Sequence, residues 1–242
     1  MSSFLNELER QIREMWQFRI NIFFANLSII LMIFSYIKYF ENEMNPSMLF
    51  ILMFCWYFAT HGITHPTFFI EDELRDRTLI SILQSRTSIF KILATKVMIQ
   101  IILDMIKAIP VFLIIGYLIN IEISNLCFYS MIILAVILSV ISMYGVGLIL
   151  SSFTLIFRRT SSVCGLISYA ILFFGGILNS NVSNSKANYL LPFDILKLIV
   201  LNEDWKLILI IILQGVIYWI IGMITFNKIL KIAKLKGSIF DV

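Results

Sequence analysis

Long uncharged runs follow one another along this chain, with short charged clusters between them. A helix needs about 20 apolar residues to cross the hydrocarbon core of a bilayer. Six stretches qualify: Ile20–Ile37, Pro46–Ile70, Val97–Ile121, Ile123–Phe157, Ser161–Asn184 and Leu207–Asn227. With their flanking turns they predict spanning helices over residues 20–40, 46–70, 93–121, 126–157, 161–184 and 207–229. The third is interrupted only by Asp104 and Lys107. The fourth is long for one helix and too short for two with a turn, which predicts a single tilted or overhanging helix. Tyr189–Leu201 is apolar but short and broken by Asp194 and Lys197. It predicts a re-entrant or interfacial segment over 186–203 instead of a seventh span.

Before the first span, Phe4, Leu5, Leu8, Ile12, Met15 and Trp16 recur at helical spacing, with Glu7, Arg10 and Arg13 on the other face. This predicts an amphipathic helix over 3–18 lying in the plane of the membrane interface. The first apolar run is of full spanning length and ends without a small-residue cleavage site, so it is expected to be retained.

Composition identifies the solvent. Of 242 residues, 60% are hydrophobic and 14% charged, with a mean hydropathy of +0.92. A soluble domain carries about 25% charge to cover its surface, so a cytosolic globular enzyme, a disordered chain and a secreted disulfide scaffold are excluded. Cys55, Cys127 and Cys164 lie in or beside apolar runs and have the scatter of packing residues, not of a disulfide or metal framework. The formal charge of +4 is too small to imply a nucleic-acid partner. Its placement is more informative. Arg10, Arg13, Arg19, Arg75, Arg77, Arg86, Lys91, Lys96, Arg158, Arg159, Lys228, Lys231, Lys234 and Lys236 fall on one side of the alternating spans. Only Lys38, Lys186, Lys197 and Lys206 fall on the other. The positive-inside rule then predicts a multi-pass protein of the cytoplasmic membrane with both termini cytoplasmic.

The segment after the second span, Glu71 to Arg86, is the most informative cytosolic loop. Glu71, Asp72, Glu73 and Asp76 suit a helix N-terminus. Leu74, Thr78 and Ile82 follow at i, i+4, i+8, with Leu79 and Leu83 widening the stripe. This predicts a short surface helix over 71–86 able to dock in a groove.

In the order Glu73, Thr78-Leu79, Leu83, Ser85 the segment resembles the Glu-x-x-x-Gly-Thr-Leu-x-x-Leu-Leu-x-Ser signature of ABC transporter permeases of the type-2 exporter class, with Arg77 where the family usually has Gly. Gly175-Gly176-Ile177 is similar to the turn that precedes the family's extracellular re-entrant helices. Leu191-Pro192-Phe193-Asp194-Ile195-Leu196 resembles its Asn-Pro-x-x-x-Leu segment, with Leu191 for Asn. The resemblance implies an all-α integral membrane protein: an interfacial helix, six spans, a coupling helix between spans two and three, and short extracellular re-entrant helices between spans five and six. It implies that Glu71, Glu73, Arg75, Arg77, Thr78, Leu79, Ile82 and Leu83 couple to a partner ATPase. Gly175, Gly176, Pro192 and Asp194 would form an extracellular gate. The implied assembly is two permease chains, identical or paralogous, among membrane lipids with two cytosolic nucleotide-binding ATPase subunits that hold ATP and magnesium. The sequence has no Gly-x-x-x-x-Gly-Lys-Ser/Thr phosphate loop, so no cofactor and no catalytic residue are expected on this chain. The cargo class implied is lipophilic or amphipathic: a peptide, a drug or a lipid-linked glycan.

Several intramembrane residues stand apart from this pattern. Asp104 and Lys107, at i, i+3, can pair along one helix face as a structural or gating ion pair, or serve a substrate or proton. His61 and His65, at i, i+4 beside Gly62 and Pro66, predict a kinked, polar, pathway-facing or packed stretch. A zinc site would need further ligands, and only Glu71 and Glu73 stand nearby in sequence, so no metal is expected. Gly147 with Ser151, and Ser161 with Gly165, predict close helix approach. Two other functions compete with the exporter: an ion-coupled carrier or channel using Asp104 without an ATPase, and, remotely, an intramembrane hydrolase using His61 or His65.

Overall fold

The computed structural model describes residues 2–40, 42, 45–84, 88–119, 126–174, 191–202 and 204–236. Among them the chain is all helix: α1 Ser2–Gln17, α2 Arg19–Phe40, α3 Pro46–Arg75, α4 Thr78–Gln84, α5 Ile89–Ile119, α6 Leu126–Phe157, α7 Ser161–Phe174, α8 Pro192–Asn202 and α9 Leu207–Leu235. Five of these, α2, α3, α5, α6 and α9, are long and apolar enough to span a bilayer. The region 126–157 is one unbroken helix, as its length predicts. α7 covers the first part of the expected fifth span, and residues 175–184 lie outside the described residues. α8 has 11 residues, too few to cross. Its Phe193, Ile195, Leu196 and Ile199 are nevertheless fully buried against neighbours that include α3, α6 and α9.

Three hydrophobic clusters fill the bundle; one holds Phe58, Val97, Ala108, Val140 and Tyr144, and the other two mark its ends. One gathers Ile33, Ile37, Leu49, Met53, Phe193 and Ile211 at the end where α3 and α9 begin. The other gathers Ile70, Leu79, Ile89, Leu93, Leu155, Phe226 and Ala233 at the opposite, basic end. The alternation of chain direction expected from the charge pattern is therefore present in the packing. Leu209, Leu213, Val216, Ile220 and Ile224 of α9, like Phe23, Phe24 and Leu31 of α2, are exposed. In a protein whose solvent is lipid such faces are the normal exterior.

Helix approach depends on glycines. Pro66, inside α3, leaves the Gly62 carbonyl without its helical donor. Gly147 of α6 packs directly on that oxygen, and a Cβ there would overlap it. Between α6 and α9, a Cβ on Gly145 would lie 2.9 Å from the Trp219 nitrogen, and the Trp219 indole donates to the Ile141 carbonyl at 2.9 Å. Gly147 thus has the packing role its spacing predicts. Gly165 does not: nothing approaches its would-be Cβ within 4 Å. Gly145 escaped the four-residue pattern because the residues four positions away, Ile141 and Ile149, are not small.

Candidate functional site

On α3, Tyr57, His61, His65, Phe69 and Glu73 recur every fourth residue and stack along one face. Successive ring centroids from Tyr57 to Phe69 are 4.5, 4.9 and 6.2 Å apart. Antiparallel to this ladder, α5 offers Lys96, Gln100, Asp104 and Lys107. At the basic end Lys96 pairs with Glu73 and sits 5.7 Å from the Phe69 ring centre. Deeper in, Gln100 Nε2 lies 3.4 Å from His65 Nε2 and donates to Asp104 Oδ1 at 2.8 Å.

Asp104 is the centre of the seam and only 3% exposed. Its two oxygens have separate company. Oδ1 takes Gln100 and, at 3.4 Å, the Lys107 ammonium. Oδ2 faces His61 Nδ1 at 3.3 Å and His65 Nε2 at 3.5 Å, and accepts from the Tyr144 hydroxyl of α6 at 3.3 Å. An intramembrane carboxylate is tolerable only when surrounded by such partners. The expected Asp104–Lys107 pair is formed, and the two histidines, placed on a separate helix by the sequence, join it. Gln100 and Tyr144 were missed. Gln100 stands one turn before Asp104, which is a readable signal; Tyr144 arrives by tertiary packing alone.

A cavity of about 560 Å³ opens beside the seam, between α1–α2 and α3–α5. Charged residues including Arg10, Glu14 and Arg75 line it together with Met15, Phe18 and Leu103, and Gln100 and Lys107 lie in its wall. A second pocket of about 10 Å³ touches His61, Asp104, Lys107 and Asn26, room for about one water molecule. α1 packs on α5 and α2. Gln11 is buried while Leu5, Ile12 and Trp16 project outward, as an interfacial helix requires. Arg10 bonds Glu7 at 2.7 and 3.1 Å and holds that carboxyl below its ordinary range.

The segment expected to form one helix over 71–86 is built differently. Glu71 to Arg75 continue α3, so the acidic cluster ends a helix where it was predicted to begin one. Its unfavourable position against the helix dipole is offset by Arg75, 2.9 Å from Asp72, and by Lys96 on Glu73. Asp76 N bonds the Asp72 carbonyl at 2.8 Å and Arg77 N the Leu74 carbonyl at 3.3 Å. Arg77 then adopts φ +59°, the left-handed conformation that helix-terminating glycines usually supply. Arg77, which stands where the resembled signature has Gly, makes this turn.

α4 follows at once. Leu79 is 1% exposed in the basic-end cluster, with Leu74, Ile82 and Leu83 packed around it. Thr78 donates to the Glu73 carboxylate. Arg75, Asp76, Arg77, Thr78, Ser81 and Gln84 are exposed. Of the residues assigned to coupling, Leu79, Ile82 and Leu83 therefore hold α4 from within, Glu73 ties it to α5, and Arg75, Arg77 and Thr78 are available outside.

Glu71 serves a further contact, absent from any sequence spacing. Its Oε1 accepts from the backbone of Thr160 and Ser161 at 2.6 and 2.8 Å, capping α7. Higher on α3, Thr67 lies 3.3 Å from the Cys164 sulfur, and the Trp56 indole donates to the Ser168 carbonyl at 3.0 Å. Gly175 and Gly176 lie outside the described residues. Pro192 opens α8, and burial pushes the Asp194 carboxyl up to about 7, against the opposing pull of Lys197.

These features define a polytopic helical membrane protein with a polar seam that runs inward from a helical hairpin at its basic end. The chain belongs to the ABC-2 type transporter family, which it matches over residues 3–184, and it is accordingly a transporter permease subunit. No curated protein matches it significantly.

Proposed function

We propose that this permease is half of the channel of an ATP-driven exporter with six spans and both termini in the cytoplasm. Two such chains, identical or paralogous, would join two cytosolic ATPase subunits, where ATP and magnesium bind and the energy-yielding chemistry resides. The observation that carries this reading is the construction of the α3–α4 hairpin. A seven-residue helix turns a polar edge outward while Leu79 anchors it in the core and Glu73 grips Lys96. A push on α4 would reach α3 directly, α5 through Glu73, and α7 through Glu71. The mixed lining of the 560 Å³ cavity suits an amphipathic cargo moving outward. Asp194 and Pro192, with Gly175 and Gly176, are the proposed outer gate.

Co-expression with a phosphate-loop ATPase tests the assignment. Charge reversal at Arg75 and Arg77 should release the ATPase from the solubilised complex while leaving the permease folded. Undiminished copurification together with normal transport would remove α4 as the docking element. The buried Asp104 keeps a second reading, an ion-coupled carrier. It requires transport driven by an ion gradient in proteoliposomes holding this chain alone.

A further inference from the structure

We propose that His61, His65 and Asp104 form a binding site for one divalent transition-metal ion of the zinc class, clamping α3 to α5 inside the bundle. The sequence shows two imidazoles one turn apart and no third ligand nearby, and the third comes from another helix. The three ligand atoms lie within 4.8 Å of one another. His61 Nδ1 and His65 Nε2 stand 3.3 and 3.5 Å from Asp104 Oδ2. Zinc binds nitrogen and oxygen ligands at about 2.0–2.2 Å in tetrahedral sites, so adjacent ligands there are separated by about 3.3–3.6 Å. Both distances to the Asp104 oxygen fall in that range.

Three further observations favour a metal over an ordinary hydrogen-bonded cluster. His61 Nδ1 is buried and makes no aligned hydrogen bond among the described residues, although the carboxylate is 3.3 Å away. In the tautomer protonated on Nε2, this nitrogen presents a lone pair toward the carboxylate and is free to ligate. The Asp104 carboxylate is already divided as a metal ligand's would be: Oδ2 faces the imidazoles and accepts from Tyr144, while Gln100 and Lys107 secure Oδ1. Such outer partners fix ligating carboxylates elsewhere. The water-sized pocket against His61 and Asp104 offers room for a fourth, water ligand. The soft thiols of Cys55 and Cys164 are not members of the cluster, so nitrogen and oxygen donors decide the class. Lys107 is the counter-argument, since its ammonium opposes a dication. It lies on the far oxygen of the carboxylate; on the near one the Tyr144 hydroxyl, at 3.3 Å, is the donor that the metal must share or displace.

The site is unusually easy to test because the chain contains only two histidines, and both are in it. The full-length chain, purified with a histidine-free tag and reconstituted in nanodiscs, would be titrated with cobalt(II) as a spectroscopic stand-in for zinc. We expect about one ion per chain, with the intense visible bands of tetrahedral nitrogen–oxygen coordination, displaced by zinc. Zinc should also raise the melting temperature, and a chelator should reverse the rise. Binding should fall at least tenfold in His61→Gln, His65→Gln and Asp104→Asn, each checked for folding by gel filtration, and should persist in Gly165→Ala. Three results would overturn the proposal, two of them in the wild type. No cobalt bound, binding unchanged in a His61→Gln/His65→Gln double variant, or sulfur-to-metal charge-transfer bands would each do so. The test needs no ATPase, so its failure leaves the exporter assignment untouched.

Discussion

Replacing Arg77 by glycine and, separately, by alanine isolates the backbone cost of the hairpin turn. Both variants remove the same exposed side chain, and only glycine relieves φ +59°. A left-handed residue bearing a Cβ costs about 1–2 kcal/mol. Against this, glycine loses about 0.5–1 kcal/mol more chain entropy on ordering than alanine. The difference leaves Arg77→Gly more stable than Arg77→Ala by up to about 1.5 kcal/mol, with a central value near 0.75. For a chain of this size that central value corresponds to about 1.5–3 °C in melting temperature, readable by intrinsic fluorescence of nanodisc-embedded protein. Arg77→Ala itself should remain near wild type, since it keeps the strain. If the glycine variant melts at or below the alanine variant, the turn is not strained, and the claim that Arg stands in for Gly at a left-handed helix terminus fails.

Loss of the Glu71 cap should destabilise α7. Glu71→Ala is expected to cost about 1–2 kcal/mol in the same melting assay, with Glu71→Gln intermediate because its amide oxygen can still accept. Gly147→Ala should cost about 1–3 kcal/mol through overlap with the Gly62 carbonyl. Gly165→Ala, facing open space, should be neutral or stabilising by up to about 1 kcal/mol; equal losses at both sites would refute the packing assignment. Asp194 sets a pH dependence. Its carboxyl titrates near 7 when folded against 3.8 when exposed, so the folded state holds its proton more tightly. Stability should therefore fall as pH rises from about 4 to about 7 and level off above. Asp194→Asn should flatten that slope and melt higher than wild type at pH 8; a parallel pH profile would contradict the assignment.

Most of the architecture was legible because a bilayer imposes a long apolar period and a sidedness of charge that sequence displays directly. The non-spanning helix near Asp194 was legible by its length. What sequence could not display was direction-reversing geometry. Glu71, Asp72 and Glu73 carry the signature of a helix start, yet they end one, because the apolar face of α3 continues into them and the break waits for Arg77. The candidate site was half legible. Asp104 and Lys107 announce each other at i, i+3, and His61 announces His65 at i, i+4. The meeting of the two pairs depends on the antiparallel register of α3 and α5, fixed by Glu73–Lys96 and by Phe50 and Phe54 packing on Phe112. No spacing within either helix encodes that register, and the same is true of Tyr144 and of the Glu71 cap.

The seam between α3 and α5 also bears on how the chain reaches the membrane. An aspartate or lysine at the middle of a lone inserting helix adds about 2.5–3.5 kcal/mol, and α5 carries both. α3, the least apolar of the five long helices, precedes it in synthesis and already displays His61 and His65 in lipid when α5 emerges. The two spans are thus expected to enter as one unit, the earlier partly solvating the later. A glycosylation-tagged α5 should insert less completely alone than behind α3, with Asp104→Leu erasing the difference. Equal insertion with and without α3 would mean that the pairing forms only after each helix has settled in the bilayer.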